Sequence, residues 1–318
     1  MLYILASRTL AFRFSERNRR GKGRSSSSGG KNSAEMMGVV KLAIADGVIT
    51  FMWMFCASAL GVGTSVISSS LNLGHYREWA PLPELAVTTA LIFLIVFFFT
   101  LLGGAMGGAS FNPTATASFY AAGFGGAHDN TFTVALRLPA QVSLFRPLDL
   151  WLCREIEAGC EIYHGNLWAV GAVVGAMAIL EVISPQYKHM VAGPSLKVDM
   201  HTGAIAEGVL TFVMSFIALL VIQKGPESLV VKSWMLSIST VAVIIAGSSF
   251  TGPSMNPVNL VPECEVHEFS LAFGWAYLSN SHQSWEQFYV YWICPFVGAI
   301  LAAWVYRFIF PPVKQKKA

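Results

Sequence analysis

The sequence predicts an all-α membrane protein with six transmembrane helices, two re-entrant half-helices and an inverted internal repeat. Three observations predict it. First, 54% of the 318 residues are hydrophobic and only 12% are charged, against about 25% charged in a soluble domain. Apolar runs of about 20 residues, enough to cross a bilayer, recur along the chain. Second, the chain repeats itself. Ala45-Asp46-Gly47-Val48-Ile49-Thr50-Phe51 returns as Ala206-Glu207-Gly208-Val209-Leu210-Thr211-Phe212. Third, each copy is followed, one helix later, by an Asn-Pro pair in a small-residue stretch: Asn112-Pro113-Thr114 and Asn256-Pro257-Val258. A duplicated pattern inside a membrane points to a pore or carrier built from two related halves.

The elements follow in order. Residues 1–36 hold eight Lys/Arg and two Asp/Glu, a charge of +6 that leaves −3 on the remainder and +3 overall. Arg17, Arg19, Arg20, Lys22 and Arg24, followed by serines, suit a transit peptide or a cytosolic flank. The favoured reading is a disordered leader, or a start at Met36 or Met37 directly before the first span. A channel domain is expected over 37–310 and a basic tail over 311–318.

Spans are read at 39–66, 85–106, 203–223, 233–250 and 287–310. A sixth is split into 131–141 and 169–183. Between its parts, 142–168 carries Arg146, Asp149, Arg154, Glu155, Glu157, Glu161 and His164. These seven ionisable groups cannot face hydrocarbon, where each costs about 2–3 kcal/mol or more at the midplane. The pairs Gly103/Gly107, Gly104/Gly108 and Gly171/Gly175 have the small-xxx-small spacing that lets backbones approach in lipid.

The segments after each Asn-Pro, from Asn112 to about Ala121 and from Asn256 onward, are too short to span. Asn suits a helix cap and Pro the first turn, so each reads as a half-helix dipping into the membrane. Such a break survives only where it lines a cavity or is buried in protein. Two half-helices entering from opposite faces bring two N-termini to the midplane, each with about half a positive charge. Their Asn amides offer donors to a passing oxygen, while the positive ends repel cations and protons. That suits neutral, hydrogen-bonding permeants.

Asp46 and Glu207 are acids inside spans and must face the interior; a proton relay is the lesser reading for them. Five cysteines show no framework spacing. Cys153, Cys160 and His164 lack zinc-ligand spacing, so no metal or other cofactor is expected. No enzyme constellation stands out.

On these residues the chain resembles the major intrinsic proteins, the aquaporin family, and most closely the small basic intrinsic proteins of plants. Supporting stretches are Gly108-Ala109-Ser110-Phe111-Asn112-Pro113-Thr114, Gly252-Pro253-Ser254-Met255-Asn256-Pro257, Phe273-Gly274-Trp275-Ala276-Tyr277 and 285–295. The resemblance covers 37–318 apart from two insertions. It implies one pore per subunit, a homotetramer in a lipid bilayer, water and small neutral solutes as permeants, and no nucleic-acid partner. It also implies that Asp46 and Glu207 hold the two loops, Asp46 being shorter than the usual Glu. Family spacing places Ile92, Ile244, Pro253 and Asn259 at the selectivity filter. Water-selective relatives carry arginine where Asn259 stands, so this filter is apolar and lacks a fixed cation.

Two segments depart from the family, 142–168 and 260–271. The second places Glu263, Glu265, His267 and Glu268 directly behind the second Asn-Pro. Both read as retained intron sequence or gene-model errors; Val142-Ser143 is what an intron beginning GT-N-AG-N would encode in frame. If both are real, a closed or misfolded pore is expected. Lys314 and Lys316 match a dilysine retrieval signal, which implies the endoplasmic reticulum membrane with both termini cytosolic. The function expected is passive conduction. The alternatives are a non-conducting relative disabled by the insertions, and a secondary carrier with inverted repeats.

Overall fold

The computed structural model describes residues 28–73, 82–124, 170–191, 196–257 and 285–311. The helices are α1 (Ser28–Ser58), α2 (Leu60–Ser70), α3 (Leu82–Ala105), α4 (Pro113–Ala121), α5 (Val170–Val182), α6 (Met200–Lys224), α7 (Leu229–Gly247), α8 (Trp285–Phe288) and α9 (Cys294–Ile309). A 3-10 turn (Pro185–Met190) follows α5, and a π turn (Tyr289–Ile293) joins α8 to α9. Among the described residues there is no strand. Five stretches are long and apolar enough to cross a membrane: Lys41–Ser70, Leu82–Ala105, Met200–Lys224, Leu229–Gly247 and Tyr289–Ile309.

These match the five unbroken spans read from the sequence, with instructive shifts at their ends. The first helix begins at Ser28, so its opening turns fall within the basic 1–36 stretch. Helix α7 begins at Leu229 rather than 233. Ser228 caps it by accepting from the Val231 N–H at 3.5 Å. Lys232 interrupts the apolar run in sequence but is 4% exposed, its Nζ donating to the Ile222 carbonyl at 2.8 Å. That carbonyl lies in the last turn of α6, whose final four carbonyls have no partner within the helix. A buried cation thus completes one helix end while sitting in the second turn of the next.

Of the split sixth span, α5 supplies the second half; 131–141 lies outside the described residues. So do 1–27, both insertions (142–168 and 260–271), Val258, Asn259, Lys314 and Lys316.

The internal repeat is visible in the packing. In the first half α1 packs on α5; in the second α6 packs on α9; and α3 packs on α7 across the halves. Glycine makes both within-half approaches possible. A Cβ at Gly175 would lie 2.8 Å from the Phe51 carbonyl oxygen, and one at Gly298 would lie 2.1 Å from that of Gly208. No side chain fits at either distance, so these helices touch backbone to backbone. Outward-facing residues at helical spacing are large and apolar, for example Leu94, Phe98 and Leu101 on α3 and Leu301, Trp304 and Phe308 on α9. The main core joins both halves through Ile92, Val96, Phe119, Met214, Leu219, Leu236, Met255 and Tyr306.

Candidate functional site

The first half-helix is built by its own sequence. Asn112, in an extended conformation, caps α4 with Pro113 at its first position. Its Oδ1 accepts from the Thr114 N–H at 3.0 Å and the Ala115 N–H at 3.3 Å, satisfying two of the three unpaired donors at this helix start, where Pro113 has none. The other end closes on Gly123, at φ +80°. There Phe124 donates to the Phe119 carbonyl at 3.0 Å and Gly123 to that of Tyr120 at 2.9 Å, a glycine-terminated stop. Arg307 of α9 adds a bond from Nη1 to the Ala121 carbonyl at 3.2 Å. Nine residues at about 1.5 Å each reach about 14 Å, roughly half the hydrocarbon core.

Each loop hangs from a buried acid. Asp46 Oδ1 accepts the Ser110 N–H at 2.6 Å. Glu207 accepts two, from Ser254 at 2.8 Å and Met255 at 3.2 Å. Both acids are 0% exposed. An acid buried in a membrane protein is tolerated when hydrogen bonds to its charged form replace water. Both loops need glycine: Gly107 and Gly108 at φ +71° and +96°, and Gly252 at +54°. Gly103 is needed for space, since a Cβ there would lie 2.7 Å from the Ala109 carbonyl oxygen. The Phe111 ring anchors the first loop, stacking on Trp53 at 3.9 Å and meeting Phe99 edge-on at 5.6 Å.

The two loops meet directly. Thr114 Oγ1 donates to the Met255 carbonyl at 2.9 Å, and Asn256 Nδ2 donates to the Phe111 carbonyl at 3.2 Å. Those carbonyls occupy matching places in the repeat, each one residue before its Asn. Met255 itself has φ +51°, a region that residues with a side chain seldom enter.

The structure therefore brings together Asp46, Asn112, Pro113, Thr114, Glu207, Asn256 and Pro257. Ile92, 5% exposed, packs in the same apolar cluster as Met255. Pro253 is buried, while Ile244 is 37% exposed. Sequence reading missed three contributors: Ser110 and Ser254, whose backbone N–H groups meet the acids, and Met255. The signal for the serines was the repeat itself, each standing two residues before its Asn. Gly208 and Gly298 were missed too; Gly298 and Ala302 have the small-xxx-small spacing. Among the described residues no group of three His, Cys, Asp or Glu is arranged to hold a metal ion. Among the described residues the site offers amide and hydroxyl donors at the start of α4 and in the loop that faces it, with no nucleophile paired to a base.

The family profile described as major intrinsic protein matches residues 114–306. Aquaporin SIP1-1 of Oryza sativa subsp. japonica is 49% identical over 278 residues, covering 87% of this chain and 96% of that protein. Aquaporin SIP1-1 of Zea mays is 48% identical, covering 89% of this chain and 99% of that one. Aquaporin SIP1-1 of Arabidopsis thaliana is 43% identical, covering 89% and 100%. Among solved structures, the aquaglyceroporin from Plasmodium falciparum superposes with a TM-score of 0.55 at 15% identity, over 84% of this chain and 95% of that one. That likeness bears on the fold alone.

Proposed function

The chain belongs to the major intrinsic protein family, and on that premise we propose that it is a passive channel for water, with other small neutral solutes as further permeants. Proteins of this family are membrane channels rather than enzymes, and this one is an integral, multi-pass membrane protein. In the proposed mechanism Asn112-Pro113-Thr114 and Asn256-Pro257-Val258 meet at the pore midplane. The observation that carries the reading is the pair of hydrogen bonds joining the two loops, Thr114 to Met255 and Asn256 to Phe111. They lock the half-helix start at Asn112 against the second box, where donors and helix dipoles favour a polar neutral guest and oppose a cation. Asp46 and Glu207 act by holding the loops. The name aquaporin, carried by the relatives above, supports water as the permeant.

The filter is assigned to Ile92, Ile244, Pro253 and Asn259. Three apolar positions and no fixed cation relax the demand for water alone and admit small uncharged solutes. The further assignments are a homotetramer, the endoplasmic reticulum membrane with both termini cytosolic, and retrieval through Lys314 and Lys316.

The test is osmotic shrinkage of proteoliposomes by stopped flow, comparing the full chain with one lacking 142–168 and 260–271. Water flux from the full chain, above that of empty liposomes, upholds the channel; flux from the trimmed chain alone upholds the pore architecture, with the insertions as artefacts or off-switches. Absence of flux in both, with folding and insertion demonstrated, rejects it. A second reading, a non-conducting relative, is favoured by one observation: Asn256 is 2% exposed. It predicts flux only from the trimmed chain or from neither. A coupled carrier is disfavoured because Asp46, Glu207 and Lys232 are the only acidic or basic side chains buried among the described residues of the spans.

A further inference from the structure

The two halves are joined by corresponding carbonyls but not by corresponding donors. At the Phe111 carbonyl the donor is the side-chain amide of Asn256. At the matching carbonyl of Met255 the donor is the hydroxyl of Thr114, where symmetry would put the amide of Asn112. Position 258, which matches 114, is valine and has no donor to return the arrangement. Thr114 is 1% exposed. Its one proton lies between Met255 O at 2.9 Å and Asn112 Oδ1 at 2.7 Å. Asn112 accepts three hydrogen bonds at Oδ1. Among the described residues its Nδ2 makes none, and its side chain is half-buried where that of Asn256 is buried.

We propose that Thr114 is a positioning residue that sets solute selection. Its hydroxyl takes the Met255 carbonyl in place of the Asn112 amide, so that the Asn112 amide is left for the permeant while that of Asn256 is held across the junction. The same bond fixes Met255 in its left-handed conformation from the carbonyl side. Glu207 fixes it from the N–H side, its Oε2 accepting from Met255 at 3.2 Å. The permeant contact is then uneven: both N–H donors of the Asn112 amide are left for it, whereas one of the two on Asn256 is committed to the Phe111 carbonyl. A methyl-bearing side chain without a hydroxyl at 114 leaves a buried carbonyl without its donor, and the nearest replacement is the Asn112 amide. Turning that amide inward removes it from the permeant.

The role in solute selection rests on the channel reading above; the latch itself does not. The experiment uses the full chain as wild type, T114S, T114V and T114A, each also with M255G. Melting in detergent is followed by tryptophan fluorescence. Water and urea flux are followed in proteoliposomes. T114V and T114A are expected to lower Tm by about 2–4 °C, the shift that one lost hydrogen bond produces in a domain of this size; T114S stays within about 1 °C of wild type. With glycine at 255 the positive φ needs no holding, so the drop from T114V shrinks, a coupling read as non-additivity. Equal drops for T114S and T114V, or a drop unchanged by M255G, overturn the latch. Water flux falls about threefold or more in T114V and T114A and recovers in T114S. Flux in T114V equal to wild type overturns the role in selection. No flux from wild type or from the chain lacking 142–168 and 260–271 rejects the channel reading instead, and the melting cycle then still decides the latch.

Discussion

Replacing Glu207 with glutamine tests how the second loop is suspended. The carboxylate is 0% exposed and takes two backbone N–H groups, Ser254 at 2.8 Å and Met255 at 3.2 Å. Glutamine keeps the shape but has one oxygen. The other position becomes an NH2 group facing an N–H, so one bond is lost and a buried backbone donor is stranded, at about 1–3 kcal/mol. The surviving bond falls from the charged range of about 1.5–3 kcal/mol to the neutral range of about 0.5–1.5. The total is about 2–4 kcal/mol. At roughly 2–4 °C per kcal/mol for a chain of this size, Tm falls by about 5–15 °C. Tryptophan fluorescence melting of purified protein in detergent measures it, with size exclusion confirming that the sample is folded beforehand. An E207Q protein that melts within about 1 °C of wild type refutes the reasoning, because one buried bond cannot be lost and a second weakened at no cost.

Three further outcomes follow from other contacts. Gly298→Ala places a methyl 2.1 Å from a backbone oxygen of the facing helix; since neither backbone can yield locally, about 3 kcal/mol or more is lost, read as collapsed yield of monodisperse protein or a large fall in Tm. Lys232→Met removes the cation that donates to the Ile222 carbonyl and costs about 1–3 kcal/mol, again read by melting. Asp199 caps α6 through the Thr202 N–H at 3.0 Å. Hydrogen bonds from the Thr202 side chain and then its backbone hold its carboxyl below the ordinary range. A depressed native value means the cap's stabilisation is present above the ordinary aspartate range and is lost as pH falls through the native value. The Tm gap between wild type and D199A, open at about pH 6, therefore closes below about pH 4, while D199N, an equally good cap, shows no such closure.

Much of this architecture was legible in the sequence because the bilayer imposes simple rules. Hydrocarbon demands long apolar runs, so five spans could be read to within a few residues. It forbids unpaired backbone, so Asn-Pro after a span had to start a buried half-helix, and α4 runs from Pro113 to Ala121 as read. The duplicated heptapeptide pointed to Asp46 and Glu207 as matching acids. What stayed hidden depends on tertiary geometry. Nothing local to Met255 signals a left-handed backbone, which exists because Glu207 and Thr114 grip its two ends. Helix α7 starts four residues earlier than hydropathy suggests because Lys232 finds its partner on α6, not on its own helix. Gly208 and Gly298 look like ordinary membrane glycines until they are seen to face each other. Thr114 looked like a variant third letter of a motif. Its hydroxyl acquires meaning only from a carbonyl 141 positions away.

The central claim is that the joined loops frame a passive path for neutral molecules. The most direct measurement follows osmotic shrinkage and ion conductance on the same proteoliposomes of the full and trimmed chains, with and without a sodium or proton gradient. The account predicts that at least one chain shrinks faster than empty liposomes, at a rate no gradient changes, with ion conductance at the empty-liposome level. Shrinkage no faster than empty liposomes in both folded chains, or flux that appears only when an ion gradient is imposed, would contradict it.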